Sequence, residues 1–150
     1  MDRAQETVYV IDTSVLIADP KVFFRLGRSQ IVIPLAVMKE LDGLKKSSNP
    51  SRAGAARRVT RILDVLSSNQ DIACGAETFA GSLVRIFSRY LAVDGLASDA
   101  DNKIVGTALS IKHETGIDNV VLLTTDGNMR NVSRAFGLRA ENYPLGLNIF

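Results

Sequence analysis

The sequence predicts an α/β fold: a three-layer α/β/α arrangement around a mostly parallel central sheet. Short apolar runs rich in β-branched residues alternate with segments whose apolar residues repeat at helical spacing. Strands that alternate with helices are joined by crossovers, which make neighbouring strands parallel. A chain of 150 residues suits one domain. We expect its core at about residues 8–143, with residues 144–150 as a tail or the start of a linker.

The first elements follow from apolar runs and prolines. VYVI is a buried-strand pattern that ends at Asp12. Pro20 and Pro34 suit the first turn of a helix, where the missing N–H is not needed. The predicted elements are a strand at Val8–Ile11, helices at 13–19 and 20–26, a strand at 30–33 and a helix opened by Pro34.

The later elements follow a polar loop at residues 45–51. A long amphipathic helix carries its apolar stripe through Ala55, Val59 and Leu66. Ser98 and Gly116 fit the two ends of another helix. Residues 88–97 show no readable pattern. The remaining predictions are short strands at 71–74 and 82–87, a buried strand at 120–125, a helix at 128–136 and a strand at 138–142.

Composition excludes several classes of protein. The chain is 46% hydrophobic and 23% charged, which is typical of a globular domain and not of a disordered one. No apolar run reaches the roughly 18 residues of a membrane helix, and the N-terminus lacks a secretory pattern. Cys74 is the single cysteine, so an internal disulfide is excluded and a cytoplasmic location is expected.

The net charge of +2 is too small to indicate a nucleic-acid partner by itself. Its distribution is uneven, because residues 45–61 carry six basic residues and no acid. On this feature alone, a solvated helix face with its loop is the favoured explanation of the stretch. The aromatic residues are not interleaved with basic ones, so the sequence does not predict a stacking platform for bases.

Two aspartates follow predicted strands at the edge where parallel sheets form their sites. Asp12 ends the first strand, and Asp126 ends the strand at 120–125. Either residue alone could simply cap the next helix, since aspartate is favoured at that position. Their common edge is what makes them candidate ligands.

Three further acids lie on predicted helices. Glu40 falls within the apolar stripe of Val37 and Leu41, where an unpaired carboxylate would be costly. Pairing with an arginine is the alternative explanation. Asp101 shares a face with the apolar residues three and four positions later, whereas Asp99 points about 160° away. Asp101 is therefore the favoured inward acid, and Asp99 could also reach inward if the helix begins later.

Together, four acids from four separate segments predict one cation site. Their mutual repulsion would raise their pKa values unless a cation balanced them. Oxygen ligands without histidine or cysteine suit Mg²⁺ or Mn²⁺ and argue against zinc. Such ions, held by carboxylates, support phosphoryl chemistry.

Four blocks of the sequence resemble the PIN domain family: VYVIDTSVLI, VIPLAVMKEL, DNKIVGTALSI and VVLLTTDGNMR. They occur in the family's order and spacing, and each carries its acid. The resemblance implies an α/β/α fold and a Mg²⁺- or Mn²⁺-dependent endoribonuclease that leaves 5′-phosphate and 3′-hydroxyl ends. The implied catalytic and metal-binding residues are Asp12, Glu40, Asp101 and Asp126, with Asp99 as a further metal ligand and Ser14, Thr124 and Asn128 as supporting polar residues.

The nearest subgroup is the N-terminal PIN domain of PhoH-like ATPases, indicated by DTSVLIADP, TTDGNMR and RAENYP. The toxin half of toxin–antitoxin pairs is the other well-known group. The chain has no glycine-rich phosphate loop, so it is not itself the ATPase. The resemblance implies single-stranded RNA as a partner, with Arg52, Arg57, Arg58 and Arg130 as candidate phosphate contacts. A homodimer, a fused or partner ATPase or helicase module, and an antitoxin are further expected partners.

Two other functions remain open from the sequence. The first is a non-catalytic RNA- or protein-binding module of a larger PhoH-like ATPase that keeps its acids for stability. The second is a Mg²⁺-dependent phosphatase of the haloacid-dehalogenase type, whose motif needs an aspartate two residues after the first. This chain has Ser14 at that position, which disfavours the phosphatase.

Overall fold

The computed structural model describes residues 6–144, which form one six-stranded sheet with helices around it. The strand order is β3-β4-β2-β1-β5-β6, and β3 alone runs antiparallel to its neighbour. This is the mostly parallel α/β sheet that the alternating pattern predicts. The strands are β1 (Val8–Ile11), β2 (Gln30–Pro34), β3 (Ala76–Glu77), β4 (Leu83–Phe87), β5 (Val120–Leu123) and β6 (Arg139–Glu141).

Both faces of the sheet are covered. All four residues of β5 are buried, and successive side chains of a strand point to opposite faces. Helices therefore pack on each side, which gives the three layers. The helices are α1 (Thr13–Ala18), α2 (Leu35–Leu44), α3 (Pro50–Ser67), α4 (Asp99–Thr115) and α5 (Gly127–Ala135).

The ends of α3 and α4 have local causes in the sequence. Asn49 Oδ1 accepts hydrogen bonds from the backbone N–H groups of Ser51 and Arg52, so α3 begins within the segment predicted as a loop. Ser98 caps α4, as predicted, by accepting from the N–H of Asp101. Gly116 ends α4 with a φ of 65°, a conformation that glycine adopts without strain.

Two predicted elements are wrong. Residues 20–26 form a single 3₁₀ turn at Val22–Phe24 instead of a helix. Asp19 Oδ1 accepts from the N–H of Lys21, a side-chain turn that competes with an α-helix at this point. Residues 71–74 form a turn instead of a strand. The Asp71 side chain accepts from the N–H of Ala73, a turn that competes with extended structure. The strand begins later, at Ala76.

The topology places one crevice beside β1. From β1 the chain proceeds outward through β2 and β4, and it later returns to the other side of β1 as β5 and β6. Ligands of parallel sheets bind at the carboxyl ends of the strands where the winding direction changes. No helix within residues 6–144 is both long and apolar enough to cross a membrane. The predicted tail lies outside the described residues except for Pro144.

Candidate active site

Asp12 follows β1 directly and is held by two hydroxyl groups. Its side chain is 5% exposed. Ser14 and Thr124 each donate to Asp12 Oδ2, at 2.7 Å. Both hydroxyls also accept, Ser14 from the N–H of Thr125 and Thr124 from the N–H of Asp126. This network joins the ends of β1 and β5 and fixes the orientation of the Asp12 side chain.

Glu40 lies on the side of α2 that faces α1. Thr13 Oγ1 donates to Glu40 Oε1 at 2.6 Å, which fixes the carboxylate across the two helices. The alternative in which an arginine pairs with Glu40 is not what the structure shows, since no described arginine forms an ion pair with it. Glu40, on the apolar stripe of α2, therefore lines a cavity and does not form a buried ion pair.

Asp101 and Asp126 lie at the beginnings of α4 and α5. Asp126 is the N-cap of α5, and its Oδ1 accepts from the N–H groups of Asn128 and Met129. Asp101 is in the first turn of α4, behind the Ser98 cap. Both acids therefore have the capping or dipole role that sequence reasoning allowed, and both also line the crevice.

The four acids line one open cavity of about 470 Å³. It lies where the topology places the crevice, at the carboxyl ends of β1 and β5. Thr13, Ser14 and Arg52 contribute to the same walls. The structure thus brings together four acids that the sequence spreads over 115 positions.

Two of the four carboxyls are disfavoured in their charged form. Burial raises the pKa of Glu40 above its usual value, and the charges of Asp12 and Asp101 add to this effect, which the Thr13 hydrogen bond opposes. Burial also raises the pKa of Asp101, with Asp12 and Asp126 contributing and the Ser98 hydrogen bond opposing. The cavity therefore concentrates negative charge that a bound cation would offset.

The donor set fits a hard divalent cation with retained water. The side-chain groups of the cavity lining that could bind a metal ion are carboxylate and hydroxyl oxygens, and its lining contains no histidine or cysteine. Within residues 6–144, no three acidic, histidine or cysteine side chains are grouped closely enough to hold an ion by themselves. Mg²⁺ commonly keeps several waters and takes one or two carboxylates directly, so widely spaced acids are compatible with it.

Asp99 is not brought into this cavity. It is exposed, forms an ion pair with Lys103 at 3.0 Å, and lines a neighbouring cavity instead. The side chains of the two aspartates in the first turn of α4 therefore point into different cavities, as the angle between them on the helix predicts. Asn128 is exposed, and its described hydrogen bond to the site comes from its backbone.

The four candidate arginines occupy different surroundings. Arg52 lines the carboxylate cavity. Arg57 donates to the carbonyl of Lys45, and Arg58 is exposed. Arg130 donates to the carbonyl of Thr124 and to the side chain of Asn142, so it also ties α5 to the chain segments beside the site.

Sequence reasoning missed Thr13. Its hydroxyl positions Glu40, which is 27 residues away along the chain. The available signal was a third polar residue in the DTS block, immediately after the strand. No helical or strand spacing relates it to Glu40, because the contact depends on how α1 packs against α2.

Comparisons with known proteins agree with this architecture. A family model of the PIN domain matches residues 9–144. The chain is 34% identical over 150 residues to protein PhoH2 of Thermobispora bispora, covering 97% of this chain and 34% of that protein. It is 29% identical over 145 residues to protein PhoH2 of Bacillus subtilis, covering 91% and 33%. It therefore spans about one third of the length of these relatives.

A domain of a functionally unknown protein from Methanocaldococcus jannaschii has a similar solved structure. The TM-score is 0.56 at 18% identity, over 91% of this chain and 90% of that one, which supports the fold alone. The match to the PIN family model covers most of the sequence. The chain belongs to the PIN domain family, whose members are generally nucleases and typically depend on divalent metal ions.

Proposed function

We propose that the chain is a Mg²⁺- or Mn²⁺-dependent endoribonuclease that hydrolyses single-stranded RNA to 5′-phosphate and 3′-hydroxyl ends. One observation carries the proposal: Asp12, Glu40, Asp101 and Asp126, from four separate segments, line one open cavity at the carboxyl ends of the strands. In this proposal, a single nuclease domain with its core at residues 8–143 carries the cleavage activity. Because the PhoH2 relatives are about three times as long, we include a fused ATPase or helicase module in the proposal.

The residues of the chain have distinct parts in this proposal. When bound, the divalent ion supplies Lewis-acid stabilisation of the phosphate and activation of water. Ser14 and Thr124 hold Asp12 through its Oδ2, so its Oδ1, which accepts no hydrogen bond from residues 6–144, is available to the ion. Thr13 does the same for Glu40 by occupying Oε1.

Arg52 is suited to the substrate. It lies among the acids and can neutralise a phosphate that would otherwise be repelled by them. We assign Arg57 and Arg58, on the same helix, to phosphates farther along the RNA. Such contacts position a nucleic acid without reading its sequence.

The test is cleavage of a fluorescent single-stranded RNA in Mn²⁺, Mg²⁺ or EDTA. We expect metal-dependent cleavage that Asp12→Asn reduces by at least about a hundredfold. Mutation of residues that only orient metal ligands already lowers metal affinity or activity by about 10- to 100-fold. The asparagine oxygen can accept both hydroxyl hydrogen bonds in place of Oδ2, so the variant is expected to fold.

Asp118→Asn is the matched control. Asp118 is exposed and precedes β5, at the opposite edge of the sheet from the cavity. Its variant should cleave as the wild type does. RNA binding without cleavage in any metal, by folded protein, would contradict the nuclease and favour the non-catalytic binding module. Equal activity in Asp12→Asn would disprove the assignment of the site.

A further inference from the structure

A second cavity adjoins the carboxylate cavity, and Glu40 lines both. Its volume is about 320 Å³, at the lower end of the roughly 300 to 1,000 Å³ typical of ligand pockets. Helix α2, the first turns of α4 and the segment after β4 form its walls. The lining residues that matter here are Leu35, Lys39, Tyr90, Asp99 and Lys103.

The wall that carries Tyr90 is fixed to the fold. The N–H of Leu91 donates to the carbonyl of Gly106 in the middle of α4, at 3.0 Å. A Cβ at Gly106 would lie 2.0 Å from the Leu91 carbonyl oxygen, so this close approach requires glycine. The segment that the sequence left unreadable thus has a defined position beside the site.

Tyr90 offers a planar apolar surface to the cavity. Its side chain is 48% exposed, and Leu35 on the facing helix is 41% exposed. The ammonium group of Lys103 lies 5.5 Å from the Tyr90 ring centroid and is also paired with Asp99. A flat ring stacked on Tyr90 would bury both apolar surfaces.

The charged residues that line the cavity suit a ligand that carries hydrogen-bond donors as well as a phosphate group. Lys39 and Lys103 are balanced by Glu40 and Asp99, so the cavity is not a general anion site. Lys39 forms no ion pair with any residue in the described part of the chain and can meet a phosphate. Asp99 can accept from the amino or hydroxyl groups of a nucleoside.

We propose that this cavity is a nucleoside subsite, which holds the RNA base and ribose next to the phosphate at the four carboxylates, with the base stacked on Tyr90. This inference rests on the proposed function and extends it. Lys39 lines this cavity and precedes Glu40, the residue that both cavities share, so its ammonium group can meet the connecting phosphate. The stacking site consists of residues from three separate segments, which explains why no aromatic–basic pattern is visible in the sequence.

The experiment measures binding without metal, so that cleavage does not interfere. A fluorescein-labelled single-stranded RNA and an abasic RNA of equal length are titrated in EDTA, and anisotropy gives Kd. The proteins are the wild type, Tyr90→Leu, Tyr90→Phe and Phe136→Leu. Phe136 is a matched control because it is 44% exposed but lies outside both cavities.

We expect Tyr90→Leu to weaken binding of the base-bearing RNA by about tenfold, as loss of one stacked base does. Tyr90→Phe and Phe136→Leu should bind like the wild type. On abasic RNA all four proteins should bind equally weakly. An unchanged Kd for Tyr90→Leu, or a loss of the same size on abasic RNA, would overturn the subsite.

A free nucleotide also carries a base, a ribose and a phosphate, and could occupy the same cavity. Adenosine, guanosine, cytidine and uridine monophosphates are therefore titrated while the Tyr90 ring signals are followed by NMR. Tighter binding of a monophosphate than of the RNA would overturn the assignment to substrate. Base-dependent RNA binding without cleavage in Mn²⁺ would support the subsite and contradict the nuclease. Metal-dependent cleavage with unchanged KM and kcat in Tyr90→Leu would overturn the subsite alone.

Discussion

Asp99 and Asp101 share the first turn of α4 but have opposite surroundings. Asp99 is exposed and pairs with Lys103, whereas Asp101 faces three other carboxylates in the cavity. Both gain from the positive end of the helix. Burial and the charges of Asp12 and Asp126 nevertheless raise the pKa of Asp101, against the opposing hydrogen bond from Ser98.

Asp101→Asn should therefore stabilise the metal-free domain, by about 0.5 kcal/mol because solvent screens a partly exposed carboxyl. Asp99→Asn should give no gain, since it removes an ion pair. Urea unfolding in EDTA at pH 7 measures both changes. In Mn²⁺ the order should reverse, because Asp101→Asn loses the ion that binds the folded state. A large loss of metal-free stability in Asp101→Asn would mean that this carboxylate is structural.

The same carboxyls predict a pH dependence with a definite sign. The folded-state pKa values of Glu40 and Asp101 are raised above their ordinary values of 4.5 and 3.8, so the folded state takes up these protons first. Their contribution to the free energy of unfolding should therefore rise as pH falls from neutral through the raised pKa values, and level off below the ordinary pKa values of the unfolded chain. Asp101→Asn should show a weaker rise than the wild type in the same urea series.

Residue spacing in the sequence predicted the surroundings of some site residues and not of others. The angle between Asp99 and Asp101 follows from helical geometry, so their different environments were predictable. Tyr90 and Thr13 act through contacts with residues distant in the sequence. Their positions depend on how the helices pack against each other, which cannot be predicted from the spacing of residues within one helix or strand.

At the scale of elements, Gly106 determines how the segment after β4 meets α4. Glycine in a helix interior ordinarily costs about 0.5 to 1 kcal/mol relative to alanine. Here the added methyl would collide with the backbone of Leu91. Gly106→Ala should therefore destabilise the domain by about 2 kcal/mol, as overpacking does.

Gly54→Ala is the matched substitution in α3, where a Cβ would meet nothing within 4 Å. It should stabilise the domain by about 0.5 to 1 kcal/mol. Urea unfolding of both variants at pH 7 provides the comparison. Equal stability of the two variants would mean that Leu91 moves away from α4 at no cost.

Elements with local signals were predictable. The helix between Ser98 and Gly116 and the strand within 82–87 are confirmed. Residues 71–74 were misassigned because the turn made by the Asp71 side chain outweighs the extended preference of Ile72. Residues 88–97 carry no periodicity, because contacts with α4 determine their position and local spacing does not. These contacts join Leu91 to Gly106, Arg89 to Glu114 and Leu96 to Asn102.

At the scale of the whole molecule, the parallel sheet and the edge that carries the candidate site were predictable, but the strand order was not. Alternating strands and helices imply crossovers, and crossovers place the strand ends together. The pairing of β1 with β5 joins segments more than 100 residues apart and has no local signature. The carboxylate cavity therefore followed from the topology class, whereas its neighbouring cavity did not.

The distribution of charge gives the last prediction. The net charge is only +2, yet α3 carries four arginines, with Arg52 at the carboxylate cavity and Arg61 beside an apolar cavity with Val65 and Phe79. If Arg52 neutralises one RNA phosphate, Arg52→Ala should reduce the slope of log Kd against log salt by about 0.7, the value for one contact to a single strand.

Arg61→Ala has the same change in net charge and is the control for long-range attraction. It should leave the slope within error of the wild type, because Arg61 lies on a different surface of α3. Anisotropy titrations of single-stranded RNA in EDTA at several potassium chloride concentrations measure all three slopes. Equal reductions in both variants would show that the RNA senses the overall basic charge of α3 and not a contact at the cavity. An unchanged slope in Arg52→Ala would remove Arg52 from the RNA path.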